Sequence, residues 1–240
     1  MPLTKARGNM YPWVTHTHTH LGGECPHKCS YCYVNGMSSK PSVAAKYTGP
    51  LRLIEKEFEI NYGKGKTIFM EHCNDVFAEG AMPFVGPIIH HAMLNPNNTY
   101  VWQTKNPRGF RRFDFPCNSI FGCTIETNRK IACSLAPSPE NRVAPMIWAR
   151  QIYGRTFITI EPIMDFDVDE FGQLLVDIRP TFVNIGADSK GHNLPEPTAI
   201  NIFALMAKLR ANRIEVRLKT NLQRLINPKA RRSAPKEPTR

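Results

Sequence analysis

Seven short runs along the chain are rich in β-branched and aromatic residues and read as strands: Trp13–His20, Thr67–His72, Thr99–Thr104, Ser119–Thr124, Thr156–Glu161, Thr181–Gly186 and Ile214–Lys219. Between most of them, apolar residues recur at helical spacing. Leu51–Tyr62 places Leu51, Ile54 and Phe58 on one face, and Thr198–Ala211 does the same with Ile202, Leu205, Met206 and Leu209. Pro83–Leu94 opens on a proline, as helix starts often do. Glu140–Tyr153 follows a proline-rich loop, and Val168–Ile178 completes the helices. The connection from Asn128 to Pro139 shows no clear period. Strands alternating with helices predict a parallel sheet.

Side chains alternate across a strand, and here the alternation separates apolar from polar. Ile158 and Ile160 oppose Thr159 and Glu161; Val183 and Ile185 oppose Asn184 and Gly186; Val216 and Leu218 oppose Arg217 and Lys219; Cys123 and Ile125 oppose Thr124 and Glu126. The apolar faces suit a layer of helices. The polar faces are unlike the bulky apolar filling of a closed eight-stranded barrel. A sheet with one solvated face satisfies the pattern; a partly open barrel with a polar lumen satisfies it too and is the expectation adopted. Polar residues also gather at the C-terminal strand ends, where barrel enzymes place their chemistry. Among them are His72, Asn74, Asp75, Thr104, Lys105, Glu126, Glu161, Asp188 and Lys219.

A length of 240 residues fits one such domain, expected over residues 1–226. No run approaches eighteen apolar residues, and the polar stretch from Met1 to Trp13 lacks the apolar core of a secretory signal. Seven cysteines, an odd number, fit a reducing cytoplasmic setting better than a disulfide framework. The net charge of +11 is uneven, because residues 208–240 hold eleven Lys and Arg against Glu215 and Glu237. Within that region, residues 227–240 carry three prolines and read as a disordered basic tail. Such a tail attracts nucleic-acid phosphates, or it only keeps the protein soluble.

The most specific feature is the run Cys25-Pro26-His27-Lys28-Cys29-Ser30-Tyr31-Cys32. Three thiolates can hold three irons of a four-iron cluster, leaving the fourth iron without a protein ligand. An open coordination position marks a reactive rather than a structural site. The competing reading is a zinc knuckle completed by His27, His20 or Cys73. Zinc sites usually use paired C-x2-C units, and the motif holds one, Cys29 with Cys32. His16, His18 and His20 line one side of the first strand. They suit metal binding or ordinary packing and are not assigned as ligands.

Cys25, Cys29, Tyr31 and Cys32 match C-x3-C-x-aromatic-C, and with it the chain resembles the radical S-adenosylmethionine (SAM) superfamily. The resemblance implies a partial (β/α)6 barrel with the cysteine loop after the first strand. It also implies a [4Fe-4S] cluster on Cys25, Cys29 and Cys32, and SAM on the open iron. One electron then cleaves SAM to a 5′-deoxyadenosyl radical that takes hydrogen from a substrate. Gln103–Pro107, Thr124–Asn128, Ile160–Pro162 and Ile185–Ser189 follow in an order similar to a phage- and bacteria-associated branch of unknown role. That branch is similar in motif style to spore photoproduct lyase. Ala187-Asp188 departs from it where a glycine-glutamate pair is more usual.

By resemblance, Tyr31 lies beside the cluster or adenine, and Asn74 and Asp75 hold the SAM ammonium or merely cap a turn. Thr104 and Lys105 end the third strand, with Lys105 set for the SAM carboxylate, a substrate phosphate or solvent. Glu126 faces the ribose. Gly186 allows adenine to approach, or is a plain strand exit. Glu161, on the lumen parity, meets Lys219, Arg217 or a ligand and is a candidate catalytic carboxylate. Cys73 is a candidate hydrogen-atom donor. Cys117, Cys123 and Cys133 are expected to be buried apolar residues. The implied partners are an external electron donor of flavodoxin or ferredoxin type, DNA or RNA as the leading substrate class, and possible closure of the barrel's open side by another protein. A peptide or metabolite substrate, and a non-enzymatic zinc protein, are the alternatives. No membrane contact is expected.

Overall fold

The β-branched and aromatic runs pair side by side as the pattern predicts. The computed structural model describes residues 3–37 and 41–227. Among these residues the strands are β1 (Thr4–Lys5), β2 (His16–His18), β3 (Leu21–Gly22), β4 (Arg52–Leu53), β5 (Thr67–Met70), β6 (Thr99–Thr104), β7 (Ser119–Thr124), β8 (Thr156–Ile160), β9 (Phe182–Ile185) and β10 (Glu215–Leu218). The helices are α1 (Pro41–Tyr47), α2 (Val85–Met93), α3 (Pro139–Tyr153), α4 (Val168–Ile178), α5 (Ala199–Ala211) and α6 (Gln223–Ile226). One sheet runs in the order β1-β2-β5-β6-β7-β8-β9-β10. It is parallel throughout except for β1, which pairs antiparallel with β2 at one edge. β1 and β10 are the two edges and do not pair, so the barrel is partial, as expected. The basic tail expected over 227–240 lies, beyond Asn227, outside the described residues.

The alternation sorts the faces. Ile68, Met70, Tyr100, Trp102, Phe121, Cys123, Ile158, Ile160, Val183 and Ile185 enter the main core, with Val85, Ile88 and Ile89 from α2, Phe171 and Leu175 from α4, and Ile202 and Leu205 from α5. The opposite face faces the lumen and is polar only towards the C-terminal strand ends. Its floor is a second apolar core of Phe69, Val101, Ile120, Phe157 and Phe182, capped by Tyr11 and Val14 from the N-terminal segment, with Trp13 packed against them. Tyr11 stacks on Trp13 with centroids 5.4 Å apart, Trp13 meets Phe182 edge-on at 5.6 Å, and Phe157 stacks on Phe182 at 5.2 Å. Aromatic packing of this kind excludes water from the base of the lumen.

Gly122 makes this floor possible. A Cβ there would lie 2.2 Å from the Phe157 ring. Gly122→Ala is therefore expected to cost about 1–3 kcal/mol through overpacking. Thermal unfolding should register this as a drop of roughly 2–4 °C per kcal/mol.

One expected helix is absent. Leu51–Tyr62 forms β4, paired with β3, followed by a short 3-10 turn at Glu55–Glu59. Leu21↔Leu53 pairing and the Ile54 N–H bond to the His20 carbonyl (2.8 Å) hold the segment extended before any helix could close. The residues from Asn128 to Ser138 stay irregular and wrap the cysteine loop, and α1 has no counterpart in the sequence expectations. No helix among the described residues is long and apolar enough to cross a membrane.

Candidate functional site

The cysteine loop leaves β3 through Gly23, whose φ of +89° and a Cβ position 2.3 Å from the Pro50 carbonyl oxygen admit only glycine. Asn74 donates to the Gly23 carbonyl at 3.0 Å and so ties the loop entrance to the end of β5. Two tight turns follow, closed by Lys28 N–H to Cys25 O (3.2 Å) and Cys32 N–H to Cys29 O (3.1 Å). The irregular segment clasps the loop from outside. Ser30 N–H bonds Cys133 O at 3.0 Å, Leu135 N–H bonds His27 O at 2.7 Å, and the Ser134 hydroxyl lies 3.0 Å from the Cys29 sulfur. Cys29 and Tyr31 pack with Met164, beside Cys32, Ile131, Cys133 and Leu194. Burial, with Asp75 nearby, pushes the Cys25 thiol up to about 12, and burial also raises Cys32. A metal cation reverses that preference, since a coordinating thiol is deprotonated outright.

Asp75 is the hub beneath the loop. Its carboxylate accepts from His27 Nε2 (2.8 Å), the Thr104 hydroxyl (2.7 and 2.9 Å), Lys105 N–H (2.8 Å) and Phe77 N–H (3.0 Å). Burial opposes its ionisation, and the His27 charge together with these donors outweighs burial, holding the group below the ordinary carboxylate range. Asp75 thus joins the cysteine loop to the ends of β5 and β6. A SAM ammonium would share oxygens that are already engaged.

A second network stands beside it. Fully buried Glu126 accepts from the Tyr31 hydroxyl (2.7 Å) and Arg142 Nη1 (2.8 Å), and pairs with Lys105 Nζ. Burial raises its pKa, but Lys105 and Arg142 overcome this and bring it down from 4.5 to about 2. Lys105 also donates to the Tyr31 oxygen at 2.8 Å and lies 4.4 Å from the centre of that ring. An ammonium has three donors, so one remains after Glu126 and Tyr31. A ribose at Glu126 would have to displace one of its present donors.

On the far side of the lumen, Glu161 accepts from Lys219 Nζ (2.6 Å), Asn221 Nδ2 (2.8 Å) and Asn9 Nδ2 (2.7 Å). Of the partners expected for it, Lys219 is the one found, while Arg217 pairs with Glu215. Gly186 makes room for this cluster: a Cβ would sit 2.7 Å from Glu161 Oε1. Cys73 is buried, 3.1 Å from His72 Nε2, and its thiol is raised by burial and by the field of Cys32. Cys123 is buried and Cys133 half-buried, but Cys117 is exposed, contrary to expectation, because it lies in the loop before β7.

The structure therefore gathers Cys25, Cys29, Cys32, Tyr31, Asn74, Asp75, Thr104, Lys105 and Glu126 around one end of the sheet, with Glu161 and Gly186 in a separate cluster. Sequence reasoning missed Arg142, Ser134 and Asn9. Arg142 carried a signal: it shares the buried face of α3 with Pro139, Pro145, Met146 and Ala149, and a charge on such a face needs a buried partner.

The donor set can be tested against the cluster that the motif implies. Three sulfurs on one loop, with no carboxylate among them, suit iron–sulfur ligation. Two thiolates on a single zinc, with bonds of ~2.3 Å, sit no more than ~4.6 Å apart. Among the described residues, the metal-ligating atoms that all lie within 4.8 Å of one another are those of His18, His20 and His91, and the three motif sulfurs are not so gathered.

The fold of most of the chain recurs in solved structures. Spore photoproduct lyase complexed with dinucleoside spore photoproduct superposes with a TM-score of 0.54 at 14% identity, over 87% of this chain and 64% of the lyase. A radical SAM methyltransferase from Sphaerobacter thermophilus gives 0.51 at 19% identity, over 87% of this chain and 67% of that one. The chain shares the fold of these two enzymes. SuiB of Streptococcus suis also matches, at 0.51 and 7% identity, over 87% of this chain and 49% of its own. The chain thus spans about two-thirds of the length of the lyase and of the methyltransferase. No protein-family model matches it, and no curated protein does.

Proposed function

We propose that the protein is a radical SAM enzyme whose Cys25, Cys29 and Cys32 hold a [4Fe-4S] cluster. The observation that carries this reading is an all-sulfur donor loop seated over the polar end of the lumen in a radical SAM fold. When bound, the cluster supplies the electron that splits SAM reductively and thereby licenses hydrogen abstraction from a substrate.

The chain's own residues supply placement and shelter. The His27–Asp75–Thr104 linkage fixes the loop height above β5 and β6. Lys105 interacts electrostatically with Cys29, whose field helps to keep the ammonium charged. Its spare N–H suits the SAM carboxylate. Arg142 holds Glu126 ionised, and Glu126 in turn keeps the Tyr31 proton and orients the ring. The aromatic floor keeps water out from below. Cys73 stands near Cys32 and retains its role as candidate hydrogen donor, and Glu161 its role as candidate catalytic carboxylate.

The test is anaerobic reconstitution with iron and sulfide, followed by SAM and a strong reductant. Formation of 5′-deoxyadenosine is the expected result; no sulfide-dependent absorbance and no 5′-deoxyadenosine would overturn the reading. In the cell the electron would come from a flavodoxin- or ferredoxin-type donor.

For the substrate we favour nucleic acid or a nucleotide. The net charge of +11, and the likeness to a lyase complexed with a dinucleoside photoproduct, support it. Affinity for a DNA or RNA oligonucleotide should then fall steeply with salt, by about 10³-fold between 50 and 200 mM if six phosphates are contacted. A flat response across a fluorescence-anisotropy salt series would point to a peptide or metabolite instead.

A further inference from the structure

The helix-side face of β2 carries a feature that the radical chemistry does not use. His18 and His20 point away from the lumen, and His91 of α2 meets them beside Tyr62. All three histidines are buried. One ring nitrogen from each of the three lies within 4.8 Å of the other two, and His20 Nε2 is 2.8 Å from His91 Nδ1. The Tyr62 oxygen lies 2.9 Å from His20 Nε2 and 3.1 Å from His91 Nδ1.

The other ring nitrogens are already engaged. His18 Nε2 donates to the Glu57 carbonyl at 3.2 Å. His20 Nδ1 donates at 2.7 Å to Glu71, whose carboxylate is itself fixed by the N–H groups of His20 (2.9 Å) and Leu21 (3.0 Å). The His91 ring bonds the Ile60 backbone. A neutral imidazole has one N–H. With that proton directed outward, the inner nitrogens present lone pairs to one another, and the Tyr62 hydroxyl has one proton to share among them. One proton or one cation reconciles two ring nitrogens 2.8 Å apart, and a cation engages all three histidines at once. Outer nitrogens donating to a carboxylate and to backbone carbonyls are what metal-ligating histidines show.

We propose that His18, His20 and His91 bind one zinc-type divalent cation, with the Tyr62 oxygen facing the fourth corner. Bonds of ~2.0–2.1 Å place tetrahedral ligand atoms ~3.3 Å apart; the His20–His91 pair at 2.8 Å must open by about half an ångström, and His18 already lies within 4.8 Å of both. Imidazole nitrogen suits zinc, and a closed site of protein donors is structural rather than catalytic. The ion fastens β2, α2 and Tyr62, just beyond the 3-10 turn, together.

The proposal is tested in full-length protein free of any histidine tag, with Cys25, Cys29 and Cys32 all replaced by alanine to remove the sulfur donors. Elemental analysis should find about one zinc per chain, His91→Ala should lower it at least tenfold, and His16→Ala should leave it unchanged. As a second readout, metal-free wild-type protein titrated with Co2+ should develop visible d–d bands without sulfur charge transfer. These bands should be absent in His91→Gln and His20→Gln proteins that remain folded by circular dichroism. A folded triple-cysteine variant that holds no zinc and takes up no cobalt overturns the site, as does a His91→Ala protein with undiminished zinc. Neither result bears on 5′-deoxyadenosine formation, so this proposal and the radical reading fail separately.

Discussion

Glu126→Leu is expected to lose about 3–5 kcal/mol of folding stability, because it strands two interior cations without their counter-charge. Arg142 has 1% of its side chain exposed and Lys105 has 15%, so water can replace the carboxylate at neither fully. For a chain of this size, the loss lowers the unfolding midpoint by roughly 10 °C. A pH arm isolates the charge from the packing. Glu126 is ionised in the folded state down to about 2, below its ordinary 4.5. Its stabilisation is therefore complete above the ordinary value and is lost as pH falls towards 2. Glu126→Gln keeps the shape and lacks this dependence. Denaturant midpoints at about pH 6 and about pH 3 should converge between wild type and variant on acidification. Parallel curves would show that the neighbouring cations do not hold Glu126 ionised.

Cys29→Ala is expected to abolish 5′-deoxyadenosine formation after anaerobic reconstitution, with the iron and sulfide content falling to background. A cluster left with two motif thiolates has lost a ligand, and the Ser134 hydroxyl 3.0 Å from that sulfur is a poor substitute for thiolate. Cys117→Ala, at an exposed position in the loop before β7, should leave product formation at the wild-type level and serves as the control. Undiminished product from Cys29→Ala would remove this residue from the ligand set.

The parallel strands were legible because each is a short β-branched run with an apolar side for the helices, as Ile158 and Ile160 show in β8. The motif cysteines were legible because their spacing lies within eight residues. What escaped depends on meetings across long stretches of chain. His91 contacts His20 from 71 residues away, and Arg142 reaches Glu126 from a helix whose apolar pattern hid it. Leu51–Tyr62 misled because three apolar residues at helical spacing also fit a strand followed by a turn, and pairing with β3 decided between them. The lumen was expected to be polar. Its apolar floor was obscured because Tyr11 and Trp13 arrive from outside any strand of the sheet.

That floor also constrains how the molecule is made. Its cap is translated early, yet Asn9 waits for partners 152 and 180 positions downstream, at Glu161 and Ser189. At bacterial-to-eukaryotic elongation speeds of ~5–20 residues per second, that interval is roughly 10–40 s. Until Phe157 and Phe182 emerge, Tyr11 has Phe69 alone of its floor partners and Trp13 has neither of its own, which leaves aromatic surface on the nascent chain for chaperones to meet.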